Sequence, residues 1–372
     1  MRLDLNAASI SDSVQVWAFH PGKSKRYYKF FAEHRRIFLD LPGADLTPSL
    51  LRNEESLRRT IAMSDKIHDH YSRRLQTEEP SRNPSDYDPG RNQNYGHVVT
   101  GVKRFVSEIK KDDLVLVAPR TQYDPILFGV IEGDYNPLDK VLVDPFVIDR
   151  FNTRRVRWLP TRISKRDLPA NLAMRLENRH TIVEVTAKDK VDALAAAYKT
   201  YSTPTTSKVD IECPNYQGIS FLETVDVQEL ASFFAAIYYM HENNIIGEAA
   251  NKSFREIATA YFEGDLIAHI ENEFHSPGHY RIKAKTAAMA LFISAGLTLC
   301  AAGEFNQSVS NLNLINPSAG ESADCVAQND YIQGLIQSTV NSLSNSTITE
   351  CNIAGLRAKE NLGMKTNAKI LP

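Results

Sequence analysis

Val14-Gln15-Val16-Trp17-Ala18-Phe19-His20-Pro21-Gly22 decides how the first half of this chain is read. Its apolar residues recur with period two and then meet a Pro-Gly turn, the pattern of a short strand closed by a loop. The same pattern continues outward. Residues 27–34 suggest a short helix, and Arg36-Ile37-Phe38-Leu39-Asp40-Leu41 a second strand stopped by Pro42-Gly43. Residues 50–75 place Leu50, Leu51, Leu57, Ile61, Ile67 and Tyr71 near helical spacing among many charges, which predicts a helix. Residues 78–96, with Pro80, Pro84, Pro89 and Gly90, read as a long loop, and loops of that length are functional or disordered. A short helix over 102–109 and a turn at Lys110-Lys111-Asp112-Asp113 lead into Leu114-Val115-Leu116-Val117-Ala118, an apolar run suited to a buried strand. Further strands are expected over 126–135, 152–159 and 180–185. Several short strands divided by turns and interrupted by helices predict a small mixed β-barrel ending near residue 190.

The 372 residues, 42% hydrophobic and 24% charged, exclude collagen-like, disulfide-scaffold and wholly disordered chains and suggest two domains or one large one. A net charge of −2 conceals an asymmetry. Residues 1–190 hold 32 basic and 26 acidic side chains, a net of +6, and residues 191–372 hold 11 and 19, a net of −8. The second part reads differently. An Ala-rich helix over 191–201, a Thr/Ser/Pro linker over 202–207, a strongly apolar helix over 226–246 and another over 251–274 predict a mainly α-helical domain over 191–372. From residue 306 the chain is rich in Asn and Ser. The fold class expected for the whole is α+β.

Residues 286–303 carry no formal charge, which two readings explain. Eighteen such residues meet the lower limit for a membrane span, and Arg281, Lys283 and Lys285 before them would keep the first domain in the cytoplasm. In that case the tail would lie outside, where Cys325 and Cys351 could pair. A buried Ala-rich helix explains the run equally well. The four cysteines form no CxxC pair and have no His at zinc-ligand spacing, so no structural zinc and no cofactor are expected. The N-terminal residues contain Asp4 and Asp12 and no apolar core of a secretory signal, so a cytoplasmic protein is expected, with the inner membrane as the alternative.

The first domain resembles the PUA-like superfamily, in the version related to EVE and YTH domains found at the N-terminus of Mrr-type restriction endonucleases and other bacterial defence proteins. The resemblance is carried by residues 16–22, 105–117, 128–135, 154–159 and 163–169, in the family's order. One departure is Asp112-Asp113, where the pattern usually has Gly-Asp. The resemblance implies a small barrel whose groove reads nucleic acid, in some members by holding a flipped or modified base in an aromatic-lined pocket.

The residues are compatible with that chemistry, since an extruded base needs a flat partner to stack on and a polar edge to pair with. Trp17, Phe19, Tyr123 and Trp158 are candidate walls, and Arg120, Arg154, Arg155 and Arg157 candidate phosphate contacts, although 154, 155 and 157 straddle both faces of one strand. The expected function is a prokaryotic defence or DNA-transaction component, with DNA rather than RNA as its nucleic acid and a protein partner for its acidic half. A membrane-associated effector that senses a nucleotide signal and acts through a helix over 286–303 is the alternative. A metal-dependent nuclease built on Asp265, Glu271, Glu273 and the histidines 269, 275 and 279 is the third, but these acids fall on a helical pattern and neither Lys283 nor Lys285 has an acid two residues before it. No catalytic residue is assigned.

Overall fold

The computed structural model describes residues 1–72, 78–88, 95–177, 181–218, 224–273, 278–319 and 323–371. The end of the helix expected over 50–75, part of the loop over 78–96, His180 and His275 therefore lie outside the described residues. The chain divides into two compact units, residues 13–197 and residues 1–12 with 198–372. The sequence had suggested a division near 190 with residues 1–12 in the first part. Both units mix helices and sheets, and the chain is α+β.

In residues 13–197 the strands follow one path: Arg36–Phe38, Phe146–Trp158, Leu127–Ile131, Leu114–Val117, Val16–Phe19 and Ile182–Glu184. Val16–Phe19 and Leu114–Val117 run parallel, and the remaining neighbours are antiparallel. Phe146–Trp158 is long enough to serve three partners. Its first residues pair with Lys140–Val143, its middle with Arg36–Phe38 and its end with Leu127–Ile131. The path does not close, because the terminal strands Arg36–Phe38 and Ile182–Glu184 are three residues each and do not pair with one another among the described residues. Barrel closure needs a continuous ladder round the ring, so the small mixed barrel expected from the sequence is not found closed among the described residues.

All of Val16–Phe19 and Leu114–Val117 is buried, so both faces of the sheet centre are covered. An aromatic core fills one face, where Phe38 lies 4.9 Å from Phe31 and 4.7 Å from Phe151, centroid to centroid. Helices Tyr28–His34 and Glu54–Ser72 form where expected, and Gly96–Lys103 continues into a π-type turn over Arg104–Glu108.

The other unit is less helical than its sequence suggested. Arg2–Asp4 lies between Asn313–Ile315 and Lys369–Leu371, and Ala8–Ser9 extends a five-stranded sheet through Tyr201–Ser202, Ser207–Cys213, Gly278–Ala284 and Ile267–Glu273. Main-chain pairing thus binds residues 1–12 into this unit. The expected linker over 202–207 is a hairpin turn, closed by Thr203 N–H donating to the Thr206 carbonyl at 2.7 Å. The helix expected over 251–274 stops early. A capping box from Ser253 and Glu256 starts Phe254–Ala260, but residues 267–273 pair with Gly278–Ala284, and that long-range ladder overrides local helical spacing.

Residues 286–303 form the helix Met289–Ala302, buried along nearly its whole length. No helix among the described residues is long and apolar enough to cross a membrane. The Asn/Ser-rich tail folds into helices Ala323–Ser342 and Asn345–Leu362. Cys351 pairs with Cys300 rather than with Cys325, the partner that the membrane reading offered, and Cys325 and Cys213 are both buried. One turn beyond Cys351, Gly355 meets the same helix so closely that a Cβ would lie 2.4 Å from the Cys300 carbonyl carbon. Backbone cannot yield there as a side chain could. Gly355→Ala should lower stability by about 1–3 kcal/mol, and urea unfolding that matches the wild type would remove this account of the crossing.

A candidate base-sized cavity in residues 13–197

The eight residues singled out from sequence do not converge. Trp17 and Phe19 are 2% and 1% exposed and belong to the aromatic core, which leaves neither ring a face on which a base could stack. Arg154 is buried too. Its guanidinium donates to the carbonyls of Phe105 and Gly133, both at 2.9 Å, and burial lowers its pKa against the opposing charges of Asp134 and Asp113. Arg155 and Arg157 point to the other, exposed side of the strand, as alternation requires. Arg155 pairs with Asp139 at 3.2 Å. Trp158 is half-buried and donates its indole N–H to the Phe31 carbonyl at 2.8 Å. Arg120 pairs with Asp124 at 3.7 Å, and Tyr123 is 86% exposed.

Trp17 instead ties its strand to the Asp112-Asp113 turn. Its indole N–H donates to Asp113 at 2.9 Å, and the same carboxylate accepts from the backbone N–H groups of Gln15 at 2.8 Å and Lys110 at 2.9 Å. Asp112 before it sits at φ +70°, a conformation that Gly adopts freely and Asp tolerates better than most residues. Asp112-Asp113 thus builds the turn that Gly-Asp would build. Asp112→Gly should leave the thermal midpoint within a few degrees of wild type, while Asp112→Val should cost about 1–2 kcal/mol. Asp113→Ala should cost more than either, because it strands three donors; equal midpoints for Asp112→Gly and Asp112→Val would contradict the reading.

A cavity of about 190 Å³ opens elsewhere in this unit. Five separate segments line it. Lys23 comes from the turn after Val16–Phe19, Leu39, Asp40 and Leu41 follow Arg36–Phe38, and Thr181 precedes Ile182–Glu184. Ile61, Asp65 and His68 share one face of Glu54–Ser72, while Tyr95 and Val98 open the next helix. Gly22 makes the turn possible. It sits at φ +73°, and a Cβ there would lie 2.4 Å from the Tyr27 ring. The turn brings the Lys23 N–H to Asp40 at 3.2 Å, where the Tyr27 hydroxyl also donates at 2.6 Å and His68 Nε2 approaches to 3.4 Å.

Burial acts to raise the Asp40 pKa, but the hydrogen bond and charge of His68, with the donors from Tyr27 and Lys23, hold the carboxyl below its ordinary value. Burial and the Asp40 charge push the Tyr27 hydroxyl upward. The cavity therefore joins an apolar flank of Leu39, Leu41, Ile61, Val98 and the Tyr95 ring to a polar edge of Lys23, Asp40, His68 and Thr181. None of the eight expected residues lines it. Helical spacing groups Ile61, Asp65 and His68, but no spacing in the sequence links the five segments, which meet only in the fold.

Of the acids and histidines considered for a nuclease, His269, Glu271, Glu273 and His279 lie on a strand pair, not a helix, Asp265 lies in a 3-10 turn before it, and His275 is outside the described residues. Arg281 contacts Glu271 and Asp210, both at 3.5 Å, and His279 contacts Asp210 at 3.2 Å. Among the described residues no group of three metal-ligating side chains occurs. Compared with known proteins, the chain matches no family model, no curated protein and no solved structure.

A carboxyl held below its unfolded value of about 3.9 contributes fully above that pH, and the contribution is lost as pH falls through the lower folded value. Asp40→Asn should accordingly flatten the loss of stability below about pH 4. Acid unfolding followed by circular dichroism checks this; an unchanged slope would count against the Asp40 network.

Proposed function

We propose that residues 13–197 are a PUA-like, EVE/YTH-related module that binds nucleic acid, DNA rather than RNA, by admitting one flipped or modified base to the cavity under the His20–Lys23 turn. The whole chain then acts as a prokaryotic defence or DNA-transaction component. The cavity carries this reading. At about 190 Å³ it falls below the roughly 300–1,000 Å³ of pockets that take drug-sized ligands, which suits a single ring system. Tyr95 offers an aromatic ring, and the Asp40–His68 edge offers groups that hydrogen-bond to a base edge.

Charge supports the same partner. Residues 13–197 contain 31 basic and 25 acidic side chains, whereas residues 1–12 with 198–372 contain 12 and 20. Cations placed along a backbone release counterions on binding, so affinity falls as salt rises. Arg157, exposed and without an ion pair among the described residues, is assigned to phosphate.

The test is a panel of single- and double-stranded oligonucleotides, with and without base modifications, titrated into the full chain at several salt concentrations. Tyr95→Ala should weaken binding roughly 5- to 100-fold at unchanged salt slope, as loss of one stacking partner predicts. Arg157→Gln should reduce the slope instead. Binding to no oligonucleotide, or affinity indifferent to Tyr95→Ala, overturns the proposal.

A further inference from the structure

The acidic unit has a cavity lined by cations. At about 390 Å³, within the roughly 300–1,000 Å³ of small-molecule sites, it lies between Met289–Ala302, the end of Asn345–Leu362 and the C-terminal strand Lys369–Leu371. Of this unit's 12 Lys and Arg residues three line it, Lys359, Lys365 and Lys369; none of its 20 Asp and Glu residues does. Lys365 reaches Glu212 at 3.2 Å, a carboxylate it shares with Lys199. Lys359 and Lys369 are exposed and make no ion pair among the described residues.

The walls have a different chemistry. Leu297, Ala301, Met364 and Ile370 are apolar, and lysine stems lie readily along such surface with the ammonium groups in water. The hydroxyls in the wall, those of Thr298 and Thr366, are already hydrogen-bonded to each other and to the buried Ser294. Ser294 donates to Thr366 at 3.0 Å, and Thr298 donates to the Ser294 carbonyl at 2.8 Å. An alkyl chain entering here strands no polar group of these residues, and a sugar or base would gain little from them.

We infer that this cavity binds an alkyl carboxylate, with the chain against Leu297, Ala301, Met364 and Ile370 and the carboxylate among Lys359, Lys365 and Lys369. An inorganic anion would leave the apolar wall uncovered, and an uncharged or cationic amphiphile would leave the ammonium groups without a counter-charge.

Calorimetric titration of the full chain with decanoate, decanol, decylammonium and inorganic phosphate separates these cases. Decanoate should bind saturably at one site, at least tenfold tighter than the other three. Lys359→Gln/Lys369→Gln leaves the Lys365–Glu212 pair in place and should weaken decanoate at least tenfold. Ala301→Phe should fill the cavity and abolish binding, with the thermal midpoint of each variant reporting its fold. Equal binding of decanoate and decylammonium, phosphate as tight as decanoate, or undiminished binding by the double lysine variant each overturns the inference.

Discussion

The buried carboxylate of Asp113 is the constraint on which the order of residues 13–197 depends. It receives the Trp17 indole and the backbone N–H groups of Gln15 and Lys110, so it joins the start of Val16–Phe19 to the turn that launches Leu114–Val117. Two parallel strands far apart in sequence are thereby set in register at one end. A buried acceptor with three donors tolerates little displacement, because each lost bond leaves a desolvated group behind. At its other end Val16–Phe19 runs into the His20-Pro21-Gly22 turn, and that turn delivers the Lys23 N–H to Asp40. The cavity edge is held by one polar network at the far end of a strand whose beginning is fixed by another.

The second unit rests on shape more than on polar bonds. Met289–Ala302 has no charge to solvate and is surrounded by neighbours, so its burial favours folding without a compensating partner for each group. Such a helix can be approached very closely where a neighbour supplies glycine, as Gly355 does against Cys300. The disulfide from Cys300 to Cys351 lies on the same contact line. Residues 1–12 complete the unit by strand pairing, and no composition statistic could have assigned them there, because main-chain hydrogen bonds carry no residue signature.

What the sequence made legible follows from the range of the interactions. Val16–Phe19, Leu114–Val117, Tyr28–His34, Glu54–Ser72 and Val225–Glu242 were readable because period and punctuation are local. The Ile267–Glu273 strand was not, since its state is decided by Gly278–Ala284 and, beyond it, Ser207–Cys213. The aromatic residues show the same limit. Trp17 and Phe19 have the rings that a base could stack on, but coverage of both sheet faces consumes them in the core. Arg154 was drawn inward by carbonyls of Phe105 and Gly133 that are distant in sequence. Asp112 is the opposite case, a turn residue whose positive φ lies where Asp is tolerated better than most residues, so its conformation is set locally.

Charge has to be weighed in the same way, by what each cation already touches. Much of the basic excess of residues 13–197 is engaged at short range. Arg58 and Arg59 hold the glutamates one turn before them at 2.9 Å, Arg82 holds the buried Asp149 at 2.9 Å, and Asp139 takes both Arg36 and Arg155. Exposed pairs of the first kind contribute at most about 1 kcal/mol and open readily when a stronger anion approaches. The pair with Asp149 is different, because removing its arginine would leave a buried charge unmatched. The cations free to follow a polyanion are therefore those on exposed faces, such as Arg157, and those in weak i,i+4 pairs. Arg82 and Arg154, though equally basic by composition, belong to the fold.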